Sequence, residues 1–261
     1  MIKAIFFDID GTLVSLKTKV YPPSIAPVLR KLREKGILLF VATGRSRFEI
    51  VSEHLLDGLE FDGLLTNNGQ DAYDAQGRLL YGKPLDPREA AAVLQWVEEK
   101  GCACWMVSSE KSRLNLCNER VLAAMEAIHT RPPELGDLRE MLDSPVYKIV
   151  LFLTREEMAE PMGLAPNSRM TQWFELGHDI ISADGGKENA MLDIIARCGI
   201  QPEECMAFGD SENDIAMLRA AGIGIAMGNG TPECKAAADY VTTDCDADGI
   251  INALKHFGLL K

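Results

Sequence analysis

The stretch Ala4-Ile5-Phe6-Phe7-Asp8-Ile9-Asp10-Gly11-Thr12 decides the fold. Its first four residues are apolar and rich in β-formers, and they read as a strand buried on both faces, as in a parallel sheet. Two carboxylates one residue apart follow at once, and then a glycine that marks a turn. If the chain stays extended past Phe7, Asp8 and Asp10 lie on one face. Carboxylates so close raise each other's pKa unless a cation intervenes. The pair therefore suits a division of labour, with one a nucleophile held ionised by a metal and the other an acid and base.

Working outward, residues 24–35 read as a helix that Ser24 can cap and Gly36 ends. Residues 37–42 read as a strand, 46–56 as a helix and Gly63–Thr66 as a third strand. The alternation resumes with a helix over 187–198, a strand over 205–208, a helix over 214–221, a strand over Ile223–Ala226 and a helix over 232–238. A short strand at 240–242 and a helix from Asp246 close the chain. Strand and helix in alternation mean right-handed crossovers, so the fold class is α/β, a doubly wound and mainly parallel sheet built from both ends of the chain.

The middle has another rhythm. Residues 73–79 read as a hairpin turning at Gly77. Asp86-Pro87-Arg88-Glu89 reads as a capping box, with Ala90, Val93, Leu94 and Val97 on one helix face and Gly101 as the stop. Strands at 102–107 and 113–117, a helix at 119–129, a strand at 147–153, a short helix near Glu156 and strands at 169–175 and 179–183 follow. Strands in pairs indicate an antiparallel α+β insert. Its expected span is 83–184, between a core of 1–82 and 185–261, with Gly82-Lys83-Pro84 and Asp184-Gly185-Gly186 as linkers.

Composition narrows the partners. The chain has 261 residues and a formal net charge of −12. Such acidity disfavours nucleic acid and anionic membrane, where Lys and Arg supply most of the affinity, yet permits a small anionic ligand in a local cationic pocket. A monomer or small homo-oligomer is expected. Seven cysteines without any Cys-x-x-Cys pair, and four histidines without ligand spacing, point to reduced structural thiols in a cytoplasmic setting rather than a zinc site. No apolar run reaches the ~18 residues of a membrane span. Asp8 and Asp10 interrupt the first apolar stretch, so no signal peptide is expected there.

Four segments that carry chemistry follow expected core strands. They are Asp8-Ile9-Asp10-Gly11-Thr12, Ala42-Thr43-Gly44-Arg45, Thr66-Asn67-Asn68-Gly69 and Gly209-Asp210-Ser211-Glu212-Asn213-Asp214. Parallel strands share one C-terminal edge, where ligands bind, and Lys187 begins a helix that can reach it. Each segment alone reads as turn chemistry; in this order, each at a strand exit, they read as one site. A cluster of oxygen donors without His or Cys fits Mg²⁺. Thr43 and the amides of a Gly turn suit phosphoryl oxygens, and Lys187 offers a point charge to a nucleophilic Asp and an incoming phosphate. Residues 222–228 (Gly-Ile-Gly-Ile-Ala-Met-Gly) do not make a dinucleotide loop, because the first Gly precedes its strand.

These motifs resemble, as a set and in order, those of the haloacid dehalogenase (HAD) superfamily, and most of all its Cof-type phosphatase branch, in which a large α/β cap lies between the second and third motifs. The segments 66–69 and 237–242 are similar to that branch too. The third motif differs, since Lys187 is followed by Glu188-Asn189 where the branch often has a Gly soon after the Lys. The resemblance implies a HAD-like Rossmannoid core and a phosphoric monoester hydrolase acting on small phosphorylated metabolites, sugar phosphates first. Asp8 would attack phosphorus to give an aspartyl-phosphate, and Asp10 would protonate the leaving alcohol and then activate water. Mg²⁺ would be held by Asp8, the Asp10 carbonyl and Asp210. Thr43 would hold the phosphoryl group and Lys187 would orient Asp8, while Gly44, Arg45, Asn68 and Gly69 would contact substrate and Asn213 and Asp214 would support the metal ligands from behind. The cap would set leaving-group specificity, with Trp105, Lys111, Arg113, Asn115 and His178 as candidate contacts. A phosphotransferase or phosphomutase could use the same intermediate. A phospho-Asp signalling receiver on a similar sheet would need neither Asp10 nor the insert.

Overall fold

The first strand, β1 (Ala4–Phe7), has all four residues buried. In this computed structural model, which describes residues 1–108, 111–128 and 130–261, the chain continues through α1 (Ile25–Glu34), β2 (Leu38–Ala42), α2 (Arg47–Ser52), β3 (Gly63–Thr66), β4 (Asp71–Asp74) and β5 (Leu79–Gly82). Next come α3 (Pro87–Lys100), β6 (Cys104–Ser108), β7 (Ser112–Leu114), α4 (Glu119–Ala127), β8 (Val146–Leu151), α5 (Ala159–Gly163), β9 (Ser168–Phe174) and β10 (Gly177–Ser182). The last elements are α6 (Lys187–Arg197), β11 (Cys205–Gly209), α7 (Ile215–Ala220), β12 (Ile223–Ala226), α8 (Pro232–Ala237), β13 (Tyr240–Val241) and α9 (Gly249–His256). The chain divides into two units, Met1–Tyr81 with Gly186–Lys261, and Gly82–Gly185.

The discontinuous unit is built on an eight-stranded sheet in the order β13-β12-β11-β1-β2-β3-β4-β5. β1 lies at the centre, parallel to β2 on one side and β11 on the other, with Phe7 opposite Val41 and Phe208. β3 and β4 pair antiparallel in this sheet, with Thr66 opposite Asp71. Alternate strand residues enter two apolar layers. Ile5, Phe7, Leu39, Val41 and Phe208 pack with Leu29 and Leu32 of α1 and Ile250 and Leu254 of α9. Ala4, Phe6, Phe40 and Ala207 pack on the other face with Met191 and Ile194 of α6 and Met217 of α7. Both sheet faces are covered by helices, which is why these strands carry no polar alternation.

The inserted unit is a five-stranded sheet, β7-β6-β8-β10-β9, whose paired strands are antiparallel. One face packs Cys104, Met106, Ile149 and Ile180 under Val93, Leu94 and Val97 of α3. The other packs Trp105, Val107 and Val150 under Val121, Ala124 and Met125 of α4. This is the expected α+β character.

Several local expectations change. Ser24 does not cap α1; its hydroxyl donates to Asp248 Oδ1 at 2.7 Å. α2 begins with a capping box between Ser46 and Glu49 but stops at Ser52, and His54 adopts a left-handed φ of 56° soon after. Asp86 caps α3 through the Arg88 amide, whereas Glu89 does not close a box. The Glu89 carboxylate instead accepts from the Asn167 amide and side chain and from Ser168 Oγ. β7 ends at Leu114, because the Asn115 amide folds back to accept from Cys104 N and donate to Cys102 O. The helix expected over 119–129 ends at Ala127, and His129 lies outside the described residues. Three residues named for leaving-group contact serve the structure of this unit itself. Trp105 is buried and donates to Ser112 Oγ, Asn115 holds backbone, and His178 is wholly buried. All seven cysteines are free, and no helix among the described residues is long and apolar enough to cross a membrane.

Candidate active site

Because β1, β2, β3 and β11 are parallel, their C-terminal ends share an edge, and the chain beyond each end carries a polar segment. Asp8 follows β1, Thr43 follows β2, Asn67 follows β3 and Asp210 follows β11. The strand ends at Phe7, Ile9 begins a turn and Asp10 makes an isolated bridge to Val14, so the Asp8–Asp10 stretch is not an extended run. Gly11 turns with φ +82°, and a Cβ there would come within 2.5 Å of Asp210 Oδ2. Only glycine permits both that conformation and that approach.

Lys187, the first residue of α6, has no exposed side-chain surface, and its Nζ donates to Asp8 Oδ1 at 2.7 Å and Asp214 Oδ1 at 2.6 Å. Asp214 Oδ2 accepts from the amides of Asp210 and Ser211, both at 3.0 Å. Both Asp214 oxygens are thus committed to holding Lys187 and the turn after β11. Asp210 accepts from Thr12 Oγ1 and Ser211 Oγ, each at 3.3 Å.

The electrostatics follow from burial. Desolvation holds the Asp8 carboxyl well above its ordinary range; Lys187 pulls it down, while Asp214, Asp210 and Asp10 push it further up. Burial, and then Asp214, push Asp210 up to about 7. Burial favours a neutral Lys187, yet Asp214 and Asp8 outweigh it and keep the amine a cation above its ordinary range. Three carboxylates around one ammonium leave a buried deficit of positive charge. Ligand oxygens of Asp8, Asp210 and Asp214 lie within 4.8 Å of one another. Hard oxygen donors in such a deficit fit a divalent cation. With Asp214 committed to hydrogen bonds, Asp8 and Asp210 are the side chains left to reach it.

Thr43 is buried, and its Oγ1 accepts from the Arg45 amide at 3.1 Å. The Arg45 side chain is turned to Asp10, with Nε to Oδ2 at 2.6 Å and Nη2 to Oδ1 at 2.9 Å, and its Nη1 reaches Glu53 at 2.7 Å. Burial opposes its charge, but the bond to Asp10 raises Arg45 beyond its ordinary value. Asn68 Oδ1 accepts from Asn213 Nδ2 at 2.8 Å, and a Cβ on Gly44 would sit 3.0 Å from that same oxygen. Gly69 crosses against the turn before Lys187. All the residues singled out in the core segments therefore meet in one neighbourhood of the same unit.

Three participants escaped the sequence reading. Asn229 Nδ2 donates to the Gly11 carbonyl at 2.8 Å while its Oδ1 accepts from Cys245 N at 2.9 Å. Glu53 braces Arg45, and Asp71 anchors the turn after β3. The available signal for the first was Gly228-Asn229-Gly230 after β12, a turn triplet at another strand exit.

A family model for haloacid dehalogenase-like hydrolases matches residues 5–254. YkrA of Bacillus subtilis is 32% identical over 260 residues, spanning 99% of each chain. A Streptococcus pyogenes protein is 29% identical, and there this chain covers 99% of its own length but only 54% of the relative's. Among solved structures, phosphatase BT1666 of Bacteroides thetaiotaomicron superposes with a TM-score of 0.90 at 29% identity, covering 100% of this chain and 96% of that one. The HAD subclass IIB sugar phosphatase BT4131 gives 0.84 at 35% identity, covering 99% and 100%. With the sheet, the insert and the Lys187-bridged carboxylates already in place, these likenesses assign the chain to the haloacid dehalogenase-like hydrolases, in the Cof-type branch, as a phosphoric monoester hydrolase.

Proposed function

We propose that the protein is a Mg²⁺-dependent phosphatase that hydrolyses phosphate monoesters of small metabolites, sugar phosphates first, through an aspartyl-phosphate on Asp8. The observation that carries this reading is the buried Lys187 ammonium 2.7 Å from Asp8 Oδ1. It holds one carboxylate oxygen in place and leaves Oδ2 to attack phosphorus. In that step the Asp8–phosphorus bond forms, the phosphorus–oxygen bond to the alcohol breaks, and Asp10 gives the leaving oxygen its proton. Asp10 then takes a proton from water as the water oxygen bonds to phosphorus and the Asp8–phosphorus bond breaks. Thr43 Oγ1, the Gly44 turn and Lys187 receive the phosphoryl oxygens, where charge gathers. Asp8, the Asp10 carbonyl and Asp210 would hold Mg²⁺, which would supply charge neutralisation at the phosphoryl group.

Arg45 holds Asp10 through two bonds, so proton transfer requires that Asp10 be released from that pair as substrate arrives. The inserted unit supplies leaving-group specificity, while the core residues handle any phosphate monoester. The similarity to BT4131, a sugar phosphatase, supports the substrate class. Asp8→Asn tests the reading: it removes the nucleophile with little change in shape, and turnover of a panel of phosphorylated metabolites should vanish with Mg²⁺ present. Retention of more than a few per cent of kcat, without deamidation back to Asp, would show that Asp8 is not the nucleophile.

A further inference from the structure

The turn after β3 is held by an unusual anchor. Asn67 and Asn68 are consecutive non-glycine residues in the left-handed region, with φ of 51° and 59°. Asn tolerates that conformation, and two in a row are the geometry of a tight turn that costs less when surrounding contacts hold it. The contacts converge on Asp71, which is 1% exposed. Its carboxylate accepts a hydrogen bond from Thr66 Oγ1. Asn67 Nδ2 lies 3.2 Å from each carboxylate oxygen, and Tyr73 Oη donates to Oδ2 at 2.8 Å. A buried carboxylate with three side-chain donors is a strong and directional clamp.

The clamped turn reaches most of the site, although none of these contacts joins Asp71 to the reacting groups. The Asn67 amide donates to the Arg45 carbonyl and the Asn68 amide to the Thr43 carbonyl, both at 2.9 Å. Asn68 Oδ1 takes the Asn213 side chain. A Cβ on Gly69 would overlap the Gly186 carbonyl and stand 2.6 Å from Lys187 N. One turn therefore sets the backbone behind Thr43, Arg45 and Lys187 and the side chain of Asn213.

We propose that Asp71 is a positioning residue, whose buried carboxylate locks the Asn67–Asn68 turn and, through it, the Thr43 and Lys187 segments that receive the phosphoryl group. This rests on the phosphate-binding role of Thr43 given above. Asp71→Asn keeps the shape but turns an N–H toward groups that need an acceptor, which loosens the turn.

The test uses the full chain with Mg²⁺ and inorganic phosphate as the probe, read by calorimetry beside steady-state kinetics. Asp71→Asn is expected to raise the phosphate Kd and KM about tenfold, the scale of a buried charge-assisted bond lost, with a smaller fall in kcat. Asn67→Gly in the Asp71→Asn background should recover most of that affinity, because glycine takes the left-handed conformation without the clamp. A lower Tm with unchanged phosphate Kd, or no recovery by Asn67→Gly, would make Asp71 a core residue only and overturn the inference. If Asp71→Asn does not fold, Tyr73→Phe removes one donor and carries the same test. A rise of about twofold or more in phosphate Kd supports the clamp, and an unchanged Kd overturns it. Thr43→Ala separates the two readings. Weaker phosphate binding there with unchanged binding in the Asp71 variants sinks only the clamp, while unchanged binding in Thr43→Ala sinks the phosphate reading on which it rests.

Discussion

The Lys187 ammonium lies 2.7 Å from Asp8 Oδ1, although the two residues are 179 positions apart in the chain. Asp214 holds the same ammonium from the other side at 2.6 Å. Removing this cation leaves two buried carboxylates without a counter-charge, at a cost of about 3–5 kcal/mol. Lys187→Met is therefore expected to lower the urea midpoint sharply and to abolish turnover in whatever fraction stays folded. A kcat within tenfold of the parent enzyme would mean that Lys187 is a structural ion only.

Asp10 has two duties in the proposed cycle, giving a proton to the alcohol and taking one from water. Asp10→Asn should slow both steps, by about 10²–10⁴-fold for alkyl phosphates. An aryl phosphate, whose leaving group needs little help, should lose less. The ratio of kcat/KM for the two esters measures this directly. Equal losses would confine Asp10 to holding metal and Arg45.

Asp8 and Asp210 are pushed up by burial among negative groups, and a divalent cation relieves that deficit. Chelator should abolish activity, Mg²⁺ should restore it, and Ca²⁺ should serve poorly, because its larger and looser coordination lets Asp8 turn both oxygens to the ion. Mg²⁺ should also raise Tm, since a ligand at a hundred times its Kd stabilises the native state by about 2.7 kcal/mol. Full activity with Ca²⁺ alone, or a Tm indifferent to Mg²⁺, would contradict the assignment.

His178 gives the inserted unit a pH dependence. Its ring has no exposed surface, and burial lowers its pKa, opposed in part by the nearby Leu153 backbone. The unfolded ring takes a proton near pH ~6.5, while the folded ring takes it only at lower pH. Below ~6.5 the unfolded state binds more protons, so this contribution is complete above that pH and falls as pH drops toward the folded value. Urea midpoints at pH 7.5 and 5.5 should differ more for the parent chain than for His178→Leu. Identical pH dependence in the two would exclude the histidine as the cause.

The local chemistry of the chain determined a good deal. Ala4-Ile5-Phe6-Phe7 has no polar residue to face water, so a doubly covered strand was the one reading open to it, and the polar residues after it had to lie at a strand exit. The same logic placed Thr43 and Asp210, and an amphipathic turn led by Lys187 placed the ammonium at a helix start. What the tertiary structure alone decided were relations between elements remote in sequence. The order β11-β1-β2-β3 put Asp210 beside Asp8, and the choice of neighbour depends on packing between strands rather than on the propensity of either. Arg45 reads as a cation free for substrate until the fold sets Asp10 and Glu53 around it. Ser24 is a good cap by residue type, yet Asp248 offers its hydroxyl a partner 224 positions away. Nothing in the sequence singles out Asp71; its role comes from Thr66, Asn67 and Tyr73 closing over its carboxylate. Local sequence sets which backbone shapes are cheap; which side chains meet, and so which charges are shared, is fixed only when the sheet assembles and water leaves the space between them.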